Sequence, residues 1–191
     1  MLANEHLLER KPGSGTYVTG RRVPRALGSP LSFSESTRRR GLEPSSRVLR
    51  AGPVKLTPDD AAALGIDIAS PAIVLERLRL ADNVPMAVEH AVIPTSDSSL
   101  LDEDLTSGSL HAAFERAGRI PTRALAEVGA RMATKRERDL LELPVHGIVL
   151  TEVHTIFDQI GAPLEHTSTF YAAERYVFTA VLYGDERTGP E

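Results

Sequence analysis

The stretch LERLRLADNVPMAVEHAVIP, Leu75–Pro94, decides how this chain folds. It reads as the body of two strands, residues 72–81 and 85–93, around a turn at Asp82-Asn83. Strands joined by so short a turn run antiparallel. Side chains alternate along a strand, so Arg77 and Arg79 share a face with Ile73 and Leu75. Two guanidiniums among apolar neighbours are costly unless an anion meets them. Glu89 on the second strand is one candidate. A three-residue loop at 82–84 sets Glu89 opposite Arg77, whereas a two-residue loop sets Glu76 opposite Glu89. The residues leave both registers open. They also leave open an exposed face with a cross-strand ion pair, or a pocket whose arginines take phosphate or carboxylate by forked hydrogen bonds.

Outward from this hairpin the elements alternate in type. Upstream, Ser32 with Glu35 fits a capping box that opens a helix through Arg40, stopped at Gly41. A strand follows near Arg47–Ala51. Thr57-Pro58-Asp59-Asp60 opens a short helix that ends at Gly65. Downstream come a helix from Ser109 to Ala117 before Gly118, a strand over Thr122–Met132, and a capping box at Thr134 and Glu137 opening a helix that ends before Pro144. Residues 147–157 and 163–183 read as long strands around Gln159-Ile160-Gly161. The pattern predicts an α+β fold with a largely antiparallel sheet and helices packed on one face.

Few residues outside the arginine pair point to chemistry. Ser109 sits where a helix N-terminus and a hydroxyl could hold an anion, or where a serine simply caps. Ser34, in the first turn after Ser32, allows the same two readings. Glu165 and Tyr171 lie six residues apart on one strand and so share a face. They could meet sugar hydroxyls or an amine, or lie on a half-exposed strand. The histidines at 6, 90, 111, 146, 154 and 166 lack metal-site spacing, so no metal or other cofactor is expected. Neither a nucleophile elbow nor a phosphate loop nor a dinucleotide fingerprint occurs, and the chain is not expected to be an enzyme.

The 191 residues suffice for one domain with a core of its own. The absence of cysteine excludes disulfides, thiolate metal sites and a cysteine nucleophile. The net charge of −4 is unevenly spread, +6 over residues 1–50 and −10 over the rest. A basic end on an acidic body fits two tasks, one of them beside a polyanion. No apolar run is long enough for a membrane span and no signal segment opens the chain, so a cytoplasmic protein without membrane contact is expected. KPGSGTYVTG, Lys11–Gly20, reads as a Pro/Gly turn leading into a strand, and together with the strand before it as a hairpin too small to stand alone. TGRRVPRALGSP, residues 19–30, reads as a linker.

LLERKPGSGTYVTG, Leu7–Gly20, resembles the wing hairpin of the winged helix-turn-helix in GntR-family bacterial transcription regulators. LSFSESTRRRGLEPSS, the hairpin 75–94, GSLHAAFE and FDQIGAPLEHTSTFYAAERYVF resemble the UTRA effector domain of the HutC subfamily. The resemblance implies a chorismate-lyase-like α+β fold. Residues 1–20 would then be the wing remnant, 21–30 the linker and 31–185 the effector domain. It implies a homodimeric repressor-type regulator whose small-molecule effector sets its affinity for operator DNA. By likeness to relatives that bind aminosugar phosphates, Ser34, Arg77, Arg79 and Ser109 would surround the phosphate, and Glu89, Glu165 and Tyr171 would face the sugar. Arg10, Lys11, Gly13, Ser14, Gly15 and Thr16 would form the wing's DNA contact. The base-reading helices of the family would precede Met1, so the chain is expected to start within the winged helix. A sensor-only module, and a lyase on the related fold using Glu89 or Glu165, stand as alternatives.

Overall fold

The computed structural model describes residues 8–11, 15–18, 23–26, 32–95 and 98–180. Strands β1 (Leu8–Lys11) and β2 (Gly15–Val18) pair antiparallel, with Lys11 opposite Gly15, as the hairpin reading requires. Of the wing residues, Arg10, Lys11, Gly15 and Thr16 lie on these strands, whereas Gly13 and Ser14 lie outside the described residues. The stretch read as linker contains a strand, β3 (Val23–Ala26).

A six-stranded antiparallel sheet forms the body. Its strands are β4 (Pro44–Val54), β5 (Ala72–Ala81), β6 (Val84–Ile93), β7 (Arg123–Met132), β8 (Ile148–Phe157) and β9 (Pro163–Ala172). Their spatial order is β4-β5-β6-β9-β8-β7. The expected strand over 163–183 is broken. It turns at residues 173–175 and resumes as β10 (Tyr176–Thr179), which pairs in parallel with β3. The break lets Tyr176 stack on Tyr171, ring centroids 4.2 Å apart, so the chain folds back over its own sheet.

The decisive hairpin resolves its two registers in an unforeseen way. The loop has two residues, since Ala81 faces Val84, and Asp82 and Asn83 take φ of 48° and 64°. Asp82 is held there by its carboxylate, which accepts from the Glu43 N–H at 2.8 Å. A two-residue loop alone would align Glu76 with Glu89. A bulge intervenes: Leu80 faces Pro85 but Arg79 faces Ala87, leaving Met86 as the extra residue. Glu89 therefore sits opposite Arg77.

Helices α1 (Phe33–Arg38), α2 (Pro58–Leu64), α3 (Leu110–Arg116) and α4 (Lys135–Leu141) are divided between the two faces rather than gathered on one. Phe33 of α1 packs with Ala87 and Tyr171, and Leu110 and Phe114 of α3 pack with Ile73, Leu75 and Ala91, all on the arginine face. Leu64 of α2 packs with Ala72 and Val92, and Leu141 of α4 with Leu78, Val88 and Val149, on the other. A sheet this wide, apolar on both sides at its centre, needs a cover on each. The caps at Thr57 and Thr134 are full capping boxes, closed by Asp60 and Glu137. At Ser32 the hydroxyl accepts from the Glu35 N–H, while the Glu35 carboxylate pairs with Arg39 instead of returning to the cap.

Candidate functional site

Between α1, α3 and the sheet lies a pocket lined by Ser32, Phe33, Arg77, Arg79, Glu89 and Ser109, by His111 and His154, and by four residues of β9. Alternation on β9 sends Glu165, Thr167, Thr169 and Tyr171 to this one face. Arg77 and Arg79 rise from β5 beside them, both 2% exposed. Arg77 donates from Nε to Glu89 Oε1 at 2.8 Å and also from Nη2. Arg79 donates from Nη2 to the Ser34 hydroxyl at 2.8 Å, lies over the Phe33 ring, and reaches Glu89 only at 3.9 Å. Ser34 thus stands behind Arg79 and orients it, and does not line the cavity. Ser109 caps α3, accepting from the Ala112 N–H at 3.4 Å, at the pocket wall.

The opposite end of the pocket is acidic and held by histidines. Glu165 Oε1 is 2.9 Å from His111 Nε2 and 3.8 Å from His154 Nε2. Tyr171 donates its hydroxyl to Glu152 Oε2 at 2.7 Å. Sequence reasoning grouped neither His111 nor His154 with Glu165. His111 is in the first turn after Ser109 and His154 alternates with Glu152 on β8, so each lies beside the pocket by local geometry. That they converge on one carboxylate depends on three elements meeting in space, which no local spacing encodes.

The electrostatics are uneven. Burial, with the Arg77 charge alongside, pulls Arg79 down to about 9. Burial pushes Glu89 upward, but the charges of Arg77 and Arg79 outweigh it and hold its carboxyl below the usual range. Glu165 is likewise pushed up by burial and held well down by hydrogen bonds from His111 and His154. Arg77 Nη1, Arg79 Nε, Arg79 Nη1 and Thr167 Oγ1 are buried with no hydrogen-bond partner. Buried donors are ordinarily satisfied, so three guanidinium nitrogens without an acceptor in one cavity are an exception.

The UTRA domain family model matches residues 39–177. This chain belongs to the UTRA family. A repressor from Bacillus subtilis (strain 168), the HTH-type transcriptional repressor NagR, is 34% identical over 178 residues, covering 93% of this chain and 73% of that protein. The HTH-type transcriptional repressor PhnF of Mycolicibacterium smegmatis is 28% identical, with 92% and 72% covered. The crystal structure of PhnF from Mycobacterium smegmatis superposes with a TM-score of 0.83 at 24% identity, over 96% of this chain and 81% of that one. The crystal structure of its effector domain alone gives 0.79 at 23% identity, over 85% of this chain and all of that one. The UTRA chain is therefore a transcriptional regulator of the GntR/HutC type, with the α+β effector fold expected from its sequence. Regulators of this type bind small-molecule effectors and operator DNA. Among the described residues, no helix is long and apolar enough to cross a membrane.

Proposed function

We propose that this pocket is the effector site and that its effector is a small phosphorylated metabolite, an aminosugar phosphate or another sugar phosphate. The observation that carries the reading is the set of buried, partnerless N–H groups on Arg77 and Arg79. A phosphate supplies enough acceptor oxygens to meet all of them at once, and guanidiniums bind it bidentately. The acidic end, with Glu165 and Glu89, offers acceptors to hydroxyls or an amine on the same ligand. Ser109 at the α3 N-terminus adds a hydroxyl to the phosphate side. The acid–base groups bind here and do not catalyse.

Regulation follows from the pocket's size. The free space in it measures about 30 Å³, room for a water or two. A sugar phosphate enters only if α1 and α3 move relative to the sheet. Arg38 of α1 donates from Nη2 to the carbonyl of Ser107, two residues ahead of the α3 cap, at 3.4 Å. The ligand favours whichever arrangement it fits, and so shifts a two-state equilibrium. In this reading residues 1–20 are the wing end of a DNA-binding domain, 21–30 the linker through which the shift reaches it, and 31–185 the effector domain of a homodimeric repressor working in the cytoplasm.

A thermal-stability panel tests the proposal. It compares N-acetylglucosamine 6-phosphate, glucosamine 6-phosphate, other sugar phosphates, the unphosphorylated sugars and small carboxylates. A ligand at 100 times its Kd stabilises by about 2.7 kcal/mol, a rise of roughly 5–10 °C for a domain of this size. The expected result is a rise with phosphorylated sugars alone. No rise with any phosphate would remove the phosphate from the reading.

A further inference from the structure

Among the described residues, five buried side-chain polar atoms lack a hydrogen-bond partner. Three are the guanidinium nitrogens of Arg77 and Arg79, and a fourth, Ser46 Oγ, belongs to the residue opposite Arg79 on β4. The fifth, Thr167 Oγ1, stands apart from them. Thr167 is 2% exposed and lines the pocket from the middle of β9. Its cross-strand row explains the isolation. Thr167 faces Ala91 on β6, Ala91 faces Leu75 on β5, and both are buried and apolar. On its other side stands His154 of β8, whose Nε2 lies 3.8 Å from the Glu165 carboxylate. A buried hydroxyl left without a partner is costly unless something else meets it.

Strand geometry says which part of a ligand that is. Arg77, Glu89 and Thr169 form one cross-strand row, and Arg79, Ala87 and Tyr171 form the next. Thr167 lies on the far side of the first row from Arg79, two residues or about 7 Å along β9 from Thr169. A phosphate seated on the arginine pair therefore leaves Thr167 to the carbon body of the ligand. The carboxylates on either side are already engaged, Glu89 by Arg77 and Glu165 by His111.

We propose that Thr167 is a specificity residue of this pocket, its hydroxyl pairing with an alcohol on the carbon body of a phosphorylated effector. The inference rests on the effector-site reading and narrows it to hydroxylated phosphate esters, over esters whose body is plain hydrocarbon. An alcohol suits the position because it both donates and accepts, as threonine does. An ester without one buries Thr167 Oγ1 against hydrocarbon and leaves it unmet. A site that hydrogen-bonds a hydroxyl rejects the analogue lacking it for this reason.

The test compares glucosamine 6-phosphate with n-butyl phosphate by titration calorimetry on the complete chain, as wild type, Thr167→Val and Thr167→Ser. Valine keeps the branched shape without the hydroxyl, and serine keeps the hydroxyl. The wild type is expected to prefer the sugar ester. Thr167→Val is expected to weaken binding of the sugar ester by about tenfold or more, leave butyl phosphate binding unchanged, and not lower the Tm of the ligand-free chain. Thr167→Ser is expected to bind as the wild type does. A Thr167→Val protein that keeps the wild-type preference would overturn the role of Thr167 while the phosphate reading stands, and would mean that water alone meets the hydroxyl. Equal losses for both esters would also overturn it, since valine would then disturb the arginine pair. A wild type that binds neither ester would overturn the phosphate reading and this inference together.

Discussion

Arg77 and Arg79 stand two residues apart on β5 and are partnered differently. Arg77 closes on Glu89, and without it a buried carboxylate loses its main partner. Arg79 is fully buried, meets a hydroxyl and a distant carboxylate, and is pulled down to about 9 by that burial. Arg77→Met should therefore lower the Tm of the ligand-free chain, whereas Arg79→Met should raise it by a few degrees. Both should abolish the rise caused by a phosphorylated ligand. Scanning fluorimetry of the two variants checks this, and equal losses of ligand-free stability would contradict it. A site that keeps an unmet cation for its ligand carries that cost when empty.

The carboxylates give the pH dependence. Glu89 and Glu165 have folded-state values held below the ordinary value of 4.5, the first by Arg77 and Arg79, the second by His111 and His154, both against burial. As pH falls, the unfolded chain takes up protons first. Their stabilisation is thus complete above the ordinary carboxylate value and is lost as pH falls from about 4.5 toward the folded values. Tm measured from pH 7 down to pH 3 should drop through this window, and Glu165→Gln should make the drop shallower. An acid limb unchanged by Glu165→Gln would show that its protonation is not what the fold resists.

At the scale of elements, the caps and turns were legible because their chemistry is local. Thr57 with Asp60 and Thr134 with Glu137 announce their helices, and both boxes are present. The register of β5 against β6 was not legible. It hangs on one bulged residue, Met86, whose placement satisfies Arg77 with Glu89 and is decided by burial across the sheet. The break after Ala172 was missed for a related reason. Tyr176 and Phe178 continue a strand-like pattern, but the aromatic cluster with Tyr171 is reached only by folding back. Glu165 and Tyr171 could be assigned to one face from spacing alone, while the two histidines that fix Glu165 arrive from elements the spacing does not connect.

One helix end departs from the usual chemistry. Glu142 closes α4 with φ of 54°, a left-handed conformation that favours glycine. Its carbonyl accepts from Arg175, which a glycine would retain. Glu142→Gly should stabilise the chain by about 1 kcal/mol, read as a higher urea midpoint with an unchanged slope. A lower midpoint would mean that the Glu142 side chain contributes more than its backbone costs.

For the whole molecule, the sheet is the frame that carries the pocket. Its centre, roofed by α1 and α3, holds the charged pocket. Opening the roof for a ligand would move α1, whose chain leads back toward β3 and the N-terminal hairpin. The central claim is that the arginine pair recognises a phosphate. Its most direct test is titration calorimetry of the wild type with glucosamine 6-phosphate and with glucosamine, which differ in that group alone. Saturable binding of the phosphorylated sugar is expected, and at least a hundredfold weaker binding of the other, about 2.7 kcal/mol. Equal affinity for the two, or binding of the sugar alone, would contradict it.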